Sequence, residues 1–120
     1  IIAPVASKYN TGTVMSEEIF NDNGDSVAGS LASTLHADRL IFLTDTEGVL
    51  DASKKLIPRL DPKQARALIS DGLATEGMIP KIESCLESAP NIRLAQIIDG
   101  RKPHALLKCL SSSEMGTLVG

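Results

Sequence analysis

Lys81 stands at the head of an expected helix, directly after Gly77-Met78-Ile79-Pro80. An ammonium at such a place can reach phosphate oxygens and offset the charge that develops during phosphoryl transfer. A glycine ahead of it allows close approach of backbone to phosphate. The plain alternative is a solvated helix lysine, and the residue alone does not choose between them. Asn21, Asn23 and Asp25 form an Asn-x-Asn-x-Asp pattern just before another helix. A turn followed by a cap accounts for that pattern and is the favoured reading on these residues alone. The functional alternative is recognition of a substrate with a carboxylate and an amide. Amide side chains both donate and accept hydrogen bonds, and helix N-termini favour anions. Asp45 and Gly48 follow the run Leu40-Ile41-Phe42-Leu43. They form either a simple turn or a nucleotide contact at the carboxyl end of a strand.

Other chemistries find little support. The chain has neither a Gly-x-x-x-x-Gly-Lys-Ser/Thr loop nor a Gly-x-Gly-x-x-Gly turn, so the two familiar phosphate cradles are absent. His36 and His104 have no accompanying nucleophile and read as surface or packing residues. Cys85 and Cys109 fit no metal or redox spacing and read as reduced thiols of a cytosolic protein. A net charge of −3 provides no broad basic face for nucleic acid. No tryptophan, one tyrosine and two phenylalanines make a base-stacking platform an unsuitable assignment. No apolar run has the length of a membrane span, and the opening Ile1-Ile2-Ala3-Pro4-Val5-Ala6 lacks the basic flank of a secretory signal.

These residues must be positioned by a fold of about one domain, with an aliphatic core. Residues 1–6 are expected as a buried strand, Asn10 to Gly12 as a turn, and Thr13 to Met15 as a short return strand. A chain that opens on such a strand is expected to belong to a larger fold. The turn cluster Asn21-Asp22-Asn23-Gly24 predicts a helix capped by Asp25 or Ser26, with Val27, Ala28, Leu31, Ala32 and Leu35 on its apolar stripe. Leu40 to Leu43 is expected as a parallel strand buried on both faces, and Lys54 to Leu60 as a short edge segment. Asp61-Pro62-Lys63-Gln64 predicts a capped helix start, Ala65, Leu68 and Ile69 its inner face, and Gly72 its stop. A further helix is expected over 78–88, with Met78, Ile79, Ile82 and Leu86 inward. A strand at Leu94 to Ile98, a helix at Pro103 to Leu110 and a strand at Thr117 to Val119 complete the pattern. This order implies an α/β fold with a mostly parallel sheet. Ligands of such sheets gather at the carboxyl ends of the strands, which directs attention to loops 7–25, 44–48 and 99–101.

Four stretches occur in order along the chain: Asn21-Asp22-Asn23-Gly24-Asp25; Leu43-Thr44-Asp45-Thr46-Glu47-Gly48-Val49-Leu50-Asp51; Thr75-Glu76-Gly77-Met78-Ile79-Pro80-Lys81; and Ile97-Ile98-Asp99-Gly100-Arg101-Lys102-Pro103-His104-Ala105-Leu106-Leu107. Together they resemble the amino acid kinase family, and within it the enzymes that phosphorylate N-acetylglutamate. The resemblance implies a three-layer αβα sandwich, of which residues 1–120 correspond to the C-terminal, nucleotide-binding half. It implies a cytoplasmic homo-oligomer acting in arginine biosynthesis. There MgATP phosphorylates a side-chain carboxylate to an acyl phosphate, with neither nucleic acid nor membrane as partner.

By resemblance, Lys81 stabilises the transferring phosphoryl group and Asp25 holds the catalytic lysines. Asn21 and Asn23 contact the acetylated amino acid. Asp45, Thr46, Glu47, Gly48, Val49, Leu50, Leu73, Ala74, Thr75, Gly77 and Met78 border the nucleotide. Mg²⁺ is held through ATP phosphates, so no protein metal ligands are expected. The family's glycine-rich phosphate loop, second catalytic lysine and most of its substrate pocket have no counterpart here. The chain by itself is therefore expected to bind nucleotide weakly and not to turn over. Arginine-inhibited members carry a histidine and a glutamate where this sequence has Gln96 and Cys109, and the loop around Met115 is one residue shorter. Inhibition through that arginine site is not expected. Kinases for acetylaminoadipate or glutamate, and non-catalytic ligand-sensing domains, are the alternatives.

Overall fold

The structure is a computed structural model that describes residue 2 and residues 5–9, 15–21, 23–112 and 115–120, with the backbone alone for 5–9 and 15–21. β1 (Val5–Tyr9) and β2 (Met15–Asn21) pair antiparallel as a sheet of their own. The segment expected as a long polar loop from residue 7 to 25 therefore contains most of a hairpin. β2 is also longer than the expected return strand, and its register against β1 shifts between the pairs Ser7–Ile19 and Tyr9–Met15, the stretch that holds Glu17 and Glu18. Both strands extend past the ranges expected for them; Ile1, Ala3, Pro4, the Asn10–Gly12 turn, Thr13 and Val14 lie outside the described residues.

α1 (Gly24–Thr34) begins one residue after Asn23, whose Oδ1 accepts the Asp25 N–H at 2.8 Å. Asn23, not Asp25 or Ser26, is thus the cap. Its extended backbone aims a short amide back at the helix end, and Asp25 is left to reach elsewhere. Gly29 and Ala32 are the buried positions of α1. Leu35, expected on the inner stripe, is 73% exposed, because it caps the helix C-terminus beyond the last packed turn.

The main sheet has the order β3-β5-β6-β4. β3 (Arg39–Thr44) runs parallel to β5 (Leu94–Asp99), with Leu40 opposite Ala95 and Thr44 opposite Asp99. β6 (Thr117–Val119) is antiparallel to β5 and parallel to β4 (Arg59–Leu60). Leu40, Phe42, Ala95 and Ile97 turn to one face, where α1, α2 (Pro62–Ser70) and α3 (Ile79–Ser88) form the larger core. Ile98 and Ile41 turn to the other, against Ala105 and Cys109 of α4 (Ala105–Ser111). The result is three layers, helices on both sides of a mostly parallel sheet.

The expectation that β3 is buried on both faces needs correction. It lies at the edge of this sheet, Ile41 is half-buried, and Leu43 is 52% exposed. A seven-residue α4 is too short to cover that face. The strand with both faces covered is β5, in which every residue from Ala95 to Asp99 is buried. α2 has the predicted capping box. Asp61 Oδ1 accepts from the N–H of Lys63 and of Gln64, each at 2.8 Å, and the Gln64 side chain accepts from Asp61 N. α3 buries Ile82, Cys85, Ser84 and Ser88, with Met78 buried just ahead of it; Ile79 and Leu86 are half-buried.

Candidate active site

Lys81 and Asp25 are 56 positions apart in sequence, yet Lys81 Nζ lies 2.9 Å from Asp25 Oδ2. Nζ also donates to the Gly77 carbonyl at 3.3 Å, which ties the ammonium to the turn before its own helix. Both side chains are about four-fifths covered, at 20% and 21% exposure. Their meeting depends on how α1 crosses α3. A Cβ placed on Gly29 would lie 3.0 Å from Ser84 Cβ and 3.2 Å from Ser84 O, so glycine sets a close approach of the two helices. Farther along, Asn91 Nδ2 donates to Ser33 Oγ at 2.6 Å. Asp25, Gly29 and Ser33 are spaced four apart and share one face of α1. Cys85, behind the ion pair, is pushed up to about 12 by burial and secondarily by the Asp25 charge. Its thiol stays protonated and unreactive.

The head of α3 also closes a small cleft of about 60 Å³. Thr46, Gly48, Val49 and Leu50 line it from the loop after β3, and Leu73, Ala74, Thr75 and Met78 from the segment between α2 and α3. Gly48 has φ +148, and a Cβ there would come within 2.7 Å of Thr117 Oγ1. That space lets Thr117 Oγ1 accept from Val49 N at 2.8 Å and donate to the Ile57 carbonyl at 2.7 Å, which anchors the far end of the loop. On the other wall, the Thr75 carbonyl accepts from Met78 N at 2.9 Å and Ile79 N at 3.1 Å.

Sequence-predicted residues are thus partly gathered. Asp45, Glu47 and Gly77 belong to the same segments but do not line the cleft. Glu47 instead lies 3.6 Å from Lys102 Nζ. Asn21 ends β2, and its side chain lies outside the described residues. Asn23 Oδ1 is engaged in capping α1, so the role read from its residue type as a turn and cap is the one the structure displays. A larger open groove of about 430 Å³, between Arg66 and Ile69 of α2 and Glu83, Leu86 and Glu87 of α3, contains none of the singled-out residues. The smaller cleft is the better candidate because all of its lining residues are ones that the resemblance sets at the nucleotide, and Met78 among them precedes Lys81 by three positions.

Sequence reasoning passed over Gly29, Ser84 and Thr117. A glycine within a helix was the one available signal. Among the described residues there is no group of three His, Cys, Asp or Glu side chains placed to hold a metal, and no helix long and apolar enough to cross a membrane. Gln96 and Cys109 are fully buried and bonded to each other, with Cys109 Sγ donating to Gln96 Oε1 at 3.1 Å. Gln96 Nε2 donates to the Met115 carbonyl, and Arg39 Nη1 donates to the Cys109 carbonyl at 2.8 Å.

The sequence pattern of the amino acid kinase family matches residues 2–98. The chain belongs to the amino acid kinase family. Within this family it is 46% identical over 121 residues to an acetylglutamate kinase of Rhodopseudomonas palustris strain BisB18, and 49% identical over 124 residues to one from Synechococcus sp.. Each alignment covers 99% of the chain but 39% of the relative, so the chain spans about two-fifths of the length of these kinases. A solved N-acetylglutamate synthase from Neisseria gonorrhoeae, complexed with coenzyme A and L-arginine, superposes with a TM-score of 0.76 at 25% identity. That match covers 86% of this chain and 24% of the synthase. The three layers and the mostly parallel sheet agree with that fold.

Proposed function

We propose that the chain is the nucleotide-binding, C-terminal part of an enzyme that phosphorylates the side-chain carboxylate of N-acetylglutamate with ATP, a step of arginine biosynthesis in the cytoplasm. The observation that carries this reading is the Lys81–Asp25 pair, whose lysine follows by three positions Met78, a residue of the cleft wall. The acceptor is assigned from the relatives, which are acetylglutamate kinases at 46% and 49% identity. A side-chain carboxylate is already ionised at neutral pH, so the reaction needs no general base. A carboxylate oxygen attacks the γ-phosphorus, the bond to the β–γ bridging oxygen breaks, and ADP leaves with that electron pair.

Catalysis then rests on positioning and on charge stabilisation. In this reading Lys81 meets the charge building on the transferring group, and Asp25 holds its ammonium in place. Asn21 and Asn23 border the acceptor. Asp45 to Leu50, Leu73 to Thr75, Gly77 and Met78 border the nucleotide. Mg²⁺ is carried by the ATP phosphates, a mode that requires no carboxylate cluster, and supplies charge neutralisation there. The parent enzyme is a homo-oligomer in this reading. The sensor alternative has no use for a retained Lys81–Asp25 pair.

Calorimetric titration with ATP and an acyl-phosphate assay with N-acetylglutamate test the reading. Thr75→Trp places bulk at an exposed position on the rim of the cleft. It is expected to weaken ATP binding about tenfold or more while the fold is retained. Unchanged ATP affinity in that variant would remove the cleft from consideration. Faster turnover of acetylaminoadipate or glutamate would reassign the acceptor.

Millimolar arginine is expected to leave the activity of the full-length enzyme within about twofold, against the larger shifts typical of allosteric effectors. Gln96 and Cys109 satisfy each other inside the protein and offer no carboxylate to a guanidinium. Steep inhibition by arginine would show that another site binds it.

A further inference from the structure

The Ile-Asp-Gly-Arg stretch has no part in the chemistry above, yet it holds the most heavily paired charge among the described residues. The Asp99 side chain is 4% exposed. Arg101 donates to it three times: Nε to Oδ1 at 2.9 Å, Nη2 to Oδ2 at 2.9 Å, and its backbone N–H to Oδ1 at 3.0 Å. These bonds, ahead of any other influence, hold the Asp99 carboxyl down to about 2, so the pair is ionised throughout the physiological range. The Arg101 side chain is itself 64% exposed. Its outer surface feels the charges of Asp45 and Glu47.

The same turn is pressed against the end of β3. Gly100 N donates to the Thr44 carbonyl at 2.8 Å, and a Cβ on Gly100 would lie 3.1 Å from Leu43 Cβ. Lys102 then reaches Glu47 at 3.6 Å. The loop after β3 is thus held from two sides. Thr117 anchors its far end at Val49, and Gly100 of the 99–102 turn anchors its near end at Thr44. An exposed ion pair such as Lys102–Glu47 contributes little by itself. The covered Asp99 carboxylate is different, because losing its partner leaves a poorly solvated charge and a turn without its internal clamp.

We infer that Asp99 and Arg101 are positioning residues that hold the Thr44–Leu50 loop in the shape in which it borders the nucleotide. They act through that loop and do not touch the reacting atoms. This inference rests on the nucleotide assignment made above. A misplaced border loop weakens nucleotide binding while leaving the acceptor side of the site as it was, so the two KM values separate.

The test compares Asp99→Asn, Arg101→Lys, Lys102→Ala and Thr75→Trp in the full-length enzyme, measuring KM for ATP and for N-acetylglutamate with thermal melting. Asp99→Asn is expected to raise KM for ATP about tenfold with KM for N-acetylglutamate unchanged. Arg101→Lys keeps the charge but loses the fork that matches the carboxylate, and is expected to fall between wild type and Asp99→Asn. Lys102→Ala should change neither constant by more than about twofold. If Asp99→Asn does not fold, the exposed Arg101→Lys change carries the test. Equal rises in both KM values, or a lower melting temperature with both unchanged, would overturn the inference while Thr75→Trp still weakens ATP binding. If Thr75→Trp has no effect on ATP either, the nucleotide reading fails and this inference falls with it.

Discussion

Lys81→Ala is expected to lower kcat of the full-length enzyme by about a hundred- to a thousand-fold, the cost of losing one preorganised charge at a developing anion. The ammonium is held before any reaction begins, at 2.9 Å from Asp25 and 3.3 Å from the Gly77 carbonyl. In the proposed role it therefore needs no reorganisation when charge builds on a transferring phosphoryl group. Loss of an interaction made mainly in the transition state appears in kcat rather than in KM. Some stability is lost as well, because about four-fifths of each side chain is covered and Lys81→Ala leaves the Asp25 carboxylate without its partner. Lys81→Arg tests geometry against charge, since the longer planar group keeps the charge but not the position. Turnover within about tenfold of wild type after Lys81→Ala would sink the assignment.

Gly29→Val is expected to lose about 1–3 kcal/mol of stability through overpacking and to lower kcat as well. Helix propensity alone argues the other way, because replacing a mid-helix glycine gains a few tenths to about 1 kcal/mol. The sign of the measured change therefore decides which effect wins. The new side chain would meet Ser84 Cβ at 3.0 Å, Ser84 O at 3.2 Å and Ser84 Cα at 3.4 Å. Two of these atoms are backbone and cannot swing aside like the end of a flexible side chain. Relief requires α1 to move away from α3, which lengthens the Lys81–Asp25 contact one helical turn away. A second substitution, Ser84→Gly, removes one of the three obstacles and should recover part of both losses, a coupling read from a double-mutant cycle. Thermal melting and kcat equal to wild type in Gly29→Val would show that the helix crossing does not position the ion pair.

Short-range signals made much of this protein legible in its sequence. The Asp61-Pro62-Lys63-Gln64 capping box and the Gly72 stop bound α2 as expected, since each cap is satisfied within a few residues of itself. The periodic apolar residues of α3 and the apolar run of β5 are equally local. The order of elements sufficed for the layered α/β class, and four ordered motifs sufficed for the family. Most of the cleft wall was named from the same motifs, because both of its segments are short and contiguous.

Tertiary structure alone decided what those elements do to one another. Two apolar runs, Leu40 to Leu43 and Leu94 to Ile98, look alike as strings. In the folded chain Leu43 is about half exposed, whereas β5 is buried from Ala95 to Asp99. The cap expected at Asp25 or Ser26 is instead Asn23, and Asp25 pairs with Lys81. The pairing of Lys81 with Asp25, the Gly29–Ser84 approach behind it and the Thr117 anchor of the cleft loop all join residues far apart in sequence. The sequence by itself determined which residues could carry charge to a phosphate and which family they belong to. Where that charge is held was decided by the packing of α1 on α3. Caps and periodicity are satisfied within one element, whereas a distance between two elements is set by every side chain packed between them.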